Sequence, residues 1–235
     1  MARPRFPRAG REPSIAPEER ALKPAYWDEA TRALGQNDRV LRKLIRTHPG
    51  IHLKRRSDPF TTLARAIVGQ QISVKAADTI WRRFVELVAN RARTGAYPRL
   101  DPRAVATNSL HALRECGLSQ RKAEYLRDLS VHFVAGTLDP KRWKKLDDEA
   151  LVTALVEVKG IGRWTAEMFL IFHELRADVL PVDDIGLQRA IALHYNGGER
   201  LAPAAMRDLA LGWQPYRSVA TWYLWRSLDP IPVEY

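Results

Sequence analysis

Residues 158–188 read VKGIGRWTAEMFLIFHELRADVLPVDDIGLQ, and this stretch decides the fold. Ala150, Leu151, Ala154, Leu155 and Val158 recur at helical spacing, so a helix runs into it. Gly160 and Gly162 stop that helix. Glycine tolerates backbone angles closed to other residues and leaves no side chain to block close approach. Arg163, Trp164, Thr165 and Ala166 open the next helix, whose free N–H groups and positive dipole end favour an anion such as phosphate. An ordinary helical hairpin with glycine caps would look the same from Gly-x-Gly alone. The segment ends in a carboxylate pair, Asp183-Asp184, followed by helical Leu187, Ala190, Ile191 and Leu193. Asp is a favoured N-cap, so this pair fits a structural role as well as a chemical one.

Working outward, Val74, Ala77, Ile80, Trp81, Phe84, Val85 and Val88 form an i, i+3, i+4, i+7 stripe. Ser119 is placed to cap a helix through Tyr125, Leu126, Leu129 and Phe133 to Gly136. Strand alternation is absent, and Pro, Gly, Asn and Asp mark loops at 46–60, 95–102 and 196–203. The expected fold is all-α, with two lobes and a cleft between them.

The chain has 235 residues, with 38 Lys and Arg against 27 acids, a net charge of +11. That surplus favours a polyanionic partner, although a soluble basic protein with no such partner shares it. Residues 1–20 are expected to form a flexible basic arm and residues 21–235 the helical core. No signal peptide or membrane span is visible, which predicts an intracellular protein: cytoplasmic and nucleoid-associated in a bacterium, nuclear in a eukaryote. The single cysteine, Cys116, excludes an internal disulfide and reads as a small buried residue near a helix end. The six histidines are scattered, with no zinc spacing.

Four blocks together carry a resemblance: DPFTTLARAIVGQQISVKAADTIW (58–81), GLSQRKAEYLRDL (117–129), GIGRWTA with LPVDDIGLQ, and GWQPYRSVATWYLWRSLDP (212–230). In this order they resemble the helix-hairpin-helix superfamily of DNA glycosylases, most closely the alkylation-repair branch of 3-methyladenine DNA glycosylase II type. The resemblance implies a two-lobed fold, here without the N-terminal β-domain of some members. It implies double-stranded DNA containing alkylated bases as partner, a monomer, and excision of alkylated purines in base excision repair.

The resemblance also assigns residues. Asp184 is the catalytic carboxylate, in the register Asp184-Ile185-Gly186-Leu187, with Asp183 a neighbour. Trp164, Met168 and Trp225 line the base pocket, where the family often has an aromatic in place of Met168. Gly160, Gly162, Arg163 and Thr165 meet the DNA backbone. Gln71 is the wedge that fills the gap left by a flipped base, unless Gln70-Gln71 is a plain surface turn. Trp213 and Trp222 are expected to pack the core, whereas Trp225 suits packing and pocket equally. Lyase members carry a lysine where this chain has Trp164, so water should be the nucleophile and no abasic-site cleavage should follow. No cofactor is required. Carbonyls of Val156, Val158 and Ile161 are candidates for a sodium or potassium ion, and one cysteine cannot hold an iron–sulfur cluster. Two alternatives stay open: a non-catalytic helix-hairpin-helix DNA-binding protein, and a glycosylase for oxidised or deaminated bases.

Overall fold

The computed structural model describes residues 23–54, 57–88 and 99–228. The expected basic arm, residues 95–98 of one loop and the last two residues of the fourth block lie outside them. Among the described residues there are helices and no strand. The chain opens with α1 (Trp27–Asn37), α2 (Arg39–Thr47), α3 (Pro59–Gly69) and α4 (Val74–Val88). Next come α5 (Pro102–Thr107), α6 (Leu110–Glu115), α7 (Gln120–Ala135), α8 (Pro140–Trp143) and α9 (Asp148–Val156). It closes with α10 (Arg163–Phe172), α11 (Ile185–Tyr195), α12 (Pro203–Ala210) and α13 (Arg217–Leu228).

Caps set most of these boundaries. Asp58, Asp101 and Asp139 each accept a backbone N–H of the helix that follows, and each precedes a proline at the first helical position. Proline lacks only an N–H that the first turn leaves unpaired anyway. Ser119 caps α7 as expected, accepting from Lys122 N at 3.3 Å, and Gly136 ends it in the left-handed conformation at φ 74°. On α4 the buried face is Ala77, Phe84 and Val88, while Val74, expected on the stripe, is 71% exposed. As the first helical residue it lies beyond the edge of the core.

Packing divides the helices into two groups. The first helices, α1 and α2, pack on α13, which also packs on α11. The second group, α3 with α4, α5 and α6, gathers about α7 directly or through α3. The α9–α10 pair joins them, because α10 also reaches α3. Buried apolar residues run continuously from Trp27 to Leu224. Cys116 is buried at the end of α6. No helix among the described residues is long and apolar enough to cross a membrane.

Candidate active site

Asp184 is the N-cap of α11, and its Oδ1 accepts the Leu187 N–H at 2.6 Å. The cap reading is therefore right, but it describes only part of the carboxylate. Oδ1 also accepts the indole N–H of Trp225 at 2.8 Å, and Oδ2 accepts that of Trp164 at 2.9 Å. Helices α10 and α13 thus each send a tryptophan to one aspartate at the head of α11. A carboxylate has about four acceptor positions. Oδ1 has used two, and Oδ2 retains one.

A second aspartate makes a useful contrast. Asp38 caps α2 through Leu41 N at 2.9 Å and accepts from Tyr195 Oη at 2.8 Å and Trp213 Nε1 at 3.0 Å. A capping aspartate with an indole donor is therefore not itself a site. Trp213 is 1% exposed and belongs to the core, whereas Trp164 is 40% exposed. Of the two clusters, only that of Asp184 has an exposed indole.

Met168 lies one turn along α10 from Trp164, half-buried against the core. A further turn brings Phe172, which stacks on Trp225 at 5.6 Å between centroids and 11° between planes. Phe172 was missed by sequence reasoning; the i, i+4, i+8 spacing Trp164-Met168-Phe172 would have shown it. Trp222 is buried as expected, with the Arg226 guanidinium 4.3 Å over its ring. Asp183 is exposed and caps nothing.

Gly186 was also missed. A Cβ there would stand 3.2 Å from Trp225 Nε1 and 3.0 Å from Asp184 Oδ1. Any side chain would crowd the contact that fixes the carboxylate. Glycine in the first turn of a helix costs stability, and that cost was the available signal.

The hairpin forms as expected, with one correction. Gly160 has a positive φ of 83°, and a Cβ there would overlap the Tyr125 ring, so glycine is required. Gly162 has φ −88°, open to any residue, and nothing stands within 4 Å of a Cβ built on it. Its glycine leaves an open approach, not a special backbone angle. It caps α10 without a side-chain bond. Ala166 N–H bonds Gly162 O at 3.0 Å, so the amides of Arg163, Trp164 and Thr165 precede the first helical bond.

Two of the residues expected to meet DNA have side-chain surroundings that the sequence did not show. The Arg163 guanidinium is taken by Glu149 at 2.6 and 2.8 Å and by Glu167 at 3.1 Å. The Thr165 side chain is buried under the helix start. The Arg163 side chain nevertheless stays half exposed, whereas that of Thr165 does not. Glu167 is itself buried, and burial pushes its carboxyl up; Arg163 opposes this, while Asp183 and Glu149 add to it. Glu149, Arg163 and Glu167 line a cavity of about 330 Å³ with Asp148, Asp178 and Arg217. It contains neither Trp164, Asp184 nor Trp225, and Arg217 is paired with Asp178 at 2.8 Å. It is an ion-paired seam apart from the Asp184 cluster.

Among the described residues, the carbonyls of Val156 and Ile161 accept no hydrogen bond, and that of Val158 accepts one, from Ile161 N at 3.0 Å. Hard oxygen donors of this kind suit a monovalent cation. No group of three His, Cys, Asp or Glu able to hold a metal occurs among the described residues.

The other predicted residue, Gln71, lies in the turn between α3 and α4. It is exposed and adopts φ +57°. A left-handed backbone costs a non-glycine residue about 1–2 kcal/mol, so something nearby holds it. Gln70 turns the other way, its Nε2 donating to Gly160 O at 2.9 Å.

The family model of helix-hairpin-helix base excision DNA repair proteins matches residues 64–215. The chain belongs to that superfamily. Within the superfamily it is 32% identical to DNA-3-methyladenine glycosylase 1 of Schizosaccharomyces pombe over 199 residues, 83% of each chain. Its fold is similar to the crystal structure of a DNA-3-methyladenine glycosidase from Bacillus halodurans. There the TM-score is 0.76 at 34% identity, covering 86% of this chain and 89% of that one. A 3-methyladenine DNA glycosylase of Schizosaccharomyces pombe in complex with abasic DNA gives 0.72 at 26% identity, covering 88% and 98%.

Proposed function

We propose that this superfamily member is a monofunctional DNA N-glycosylase that flips alkylated purines from duplex DNA and releases them by hydrolysis. The observation that carries the reading is the Asp184 carboxylate, oriented by Trp164, Trp225 and Leu187 N–H with one acceptor position of Oδ2 left over. The relatives named for 3-methyladenine support the substrate class.

Methylation at N3 or N7 makes a purine cationic. The exposed Trp164 face attracts such a base by cation–π interaction, and the cation needs no general acid to leave. The C1′–N bond breaks with both electrons going to the base, which departs neutral. Positive charge is left on the sugar, where a fixed carboxylate stabilises it without reorganising. Water then adds at C1′, and its proton passes to the carboxylate or to solvent. Three donors fix the position of the Asp184 carboxylate, so orientation is supplied before substrate arrives.

The lyase branch of this chemistry needs an amine at the sugar. Trp164 stands where that lysine would be, and Lys159 is turned to α7, its ammonium 3.7 Å from Asp128. The hairpin carbonyls of Val156, Val158 and Ile161 would hold a sodium or potassium ion, whose charge favours a phosphate beside the amides of Arg163, Trp164 and Thr165.

The deciding experiment is analysis of bases released from a panel of duplexes carrying 3-methyladenine, 7-methylguanine, oxidised and deaminated purines, with borohydride present in a parallel set. Free methylated purine with no trapped protein–DNA adduct is expected. Binding without release would leave a non-catalytic DNA-binding protein, and a trapped adduct would show that the nucleophile is an amine.

A further inference from the structure

The block GLSQRKAEYLRDL forms the start of α7, and the chemistry above uses none of it. It carries Lys122, Tyr125 and Asp128 three residues apart, hence along one face. Each touches a different part of the DNA-facing apparatus. The Lys122 ammonium donates to the carbonyls of Val68 at 2.8 Å and Gln70 at 2.7 Å. The Tyr125 ring lies where a side chain at Gly160 would have to stand. Asp128 accepts the Lys159 N–H, in the hairpin, at 2.9 Å. Gln70 closes the circuit by donating to Gly160 O at 2.9 Å.

The two Lys122 contacts differ in meaning. Val68 belongs to the last turn of α3, whose end carbonyls lack helical partners, and a lysine there is an ordinary C-terminal cap. The Gln70 carbonyl lies past the helix. It shares a rigid peptide plane with the N–H of Gln71. Fixing that oxygen fixes the plane about which the Gln71 φ is measured, and that φ is +57°. We propose that Lys122 is a positioning residue for base flipping, pinning the 70–71 peptide so that Gln71 is held in its left-handed, exposed conformation before DNA arrives. The proposal rests on the reading of Gln71 as the wedge. Burial lowers the affinity of the Lys122 amine for its proton. The two carbonyls are the polar partners that the partly buried group has.

Because Gln70 also holds the hairpin, Lys122 ties the wedge to the part that meets phosphate. A held wedge matters only when a stacked pair must be opened, since an unpaired base is already partly free. The measured quantity is therefore the ratio of excision rates for one alkylated base in paired and in single-stranded DNA. Lys122→Met keeps the stem and removes the ammonium. It is expected to lower that ratio about tenfold, the scale of one lost charge-assisted hydrogen bond. Lys122→Arg is expected to recover most of it, and in a Gln71→Ala background Lys122→Met should lower the ratio no further. Lys122→Gln, with a neutral amide in place of the ammonium, serves as the milder variant should Lys122→Met not fold. If Gln71→Ala lowers the ratio and neither Lys122→Met nor Lys122→Gln does, the positioning role is overturned and the wedge reading stands. If Gln71→Ala leaves the ratio unchanged, the wedge reading itself fails, and the proposal with it. An equal fall on both substrates with a lower Tm would reduce Lys122 to a helix cap and overturn the proposal.

Discussion

The indole of Trp225 and the carboxylate of Asp184, 41 residues apart in the chain, meet at 2.8 Å over the one position in α11 that has no side chain. Gly186 is the space through which they touch. Asp184 is consequently held from three directions, and each contact can be removed separately.

Asp184→Asn is the direct test of the carboxylate. Asparagine can still accept from Leu187 N–H and Trp225, but its NH₂ group faces the Trp164 N–H, donor against donor. Base release is expected to fall at least about a hundredfold, the scale of losing one dedicated electrostatic stabiliser, with lesion-DNA binding retained. Asp183→Asn should be far milder. Near-normal turnover by Asp184→Asn would end the assignment.

Gly186→Ala separates activity from stability. Alanine suits a helix better than glycine by up to about 1 kcal/mol, so Tm should hold or rise. Its Cβ crowds Trp225 at 3.2 Å and displaces the indole. Turnover should drop about tenfold, the scale of one strong hydrogen bond misplaced. Unchanged turnover would mean that Trp225 can shift without loss.

The two hairpin glycines should fail in opposite ways. Gly160→Ala forces a side chain into Tyr125 at positive φ, and Tm should fall by about 5 °C or more. Gly162→Asp meets nothing and supplies a favoured N-cap, so Tm should not fall. It nevertheless puts negative charge, and a competitor for the Thr165 amide, where phosphate should bind. Binding to lesion and undamaged duplex should weaken alike, because phosphate contacts carry no base information. A loss confined to one lesion would place the hairpin at the base pocket instead.

Glu167 gives a pH dependence. Burial raises its carboxyl above the usual glutamate range. A raised folded-state value means that the protonated form is favoured on folding. Its contribution to stability is therefore full below the ordinary range and is lost as pH climbs through the raised one. Glu167→Gln cannot lose it. In melting curves between about pH 4 and pH 8, the variant should gain on wild type as pH rises. A constant difference would show that Arg163 keeps Glu167 charged throughout.

The helices that carry the site were legible because their signals are local. Periodic apolar residues gave α4, α7, α9 and α11, and the glycine hairpin announced α10. The Asp-Pro pairs at 58–59 and 101–102 were equally local, yet fell within stretches read as loops when each in fact starts a helix; the pair at 139–140, which carried no reading, starts a third. Asp184 was legible only through a motif, since an isolated capping aspartate such as Asp38 has the same local signature.

The sequence by itself determined an all-α chain, a glycine hairpin leading into α10, and an aspartate at the head of α11, because caps, periodicity and glycine act within a few residues. Tertiary structure alone decided which oxygen of Asp184 is left over, that Arg163 is taken by Glu149, that Gly186 clears the way for Trp225, and that α7 grips both the Gln71 turn and the hairpin. These are contacts between side chains or peptide groups well apart in the chain. No local pattern encodes them, because hydrogen-bond partners are chosen by distance in space once the helices have packed.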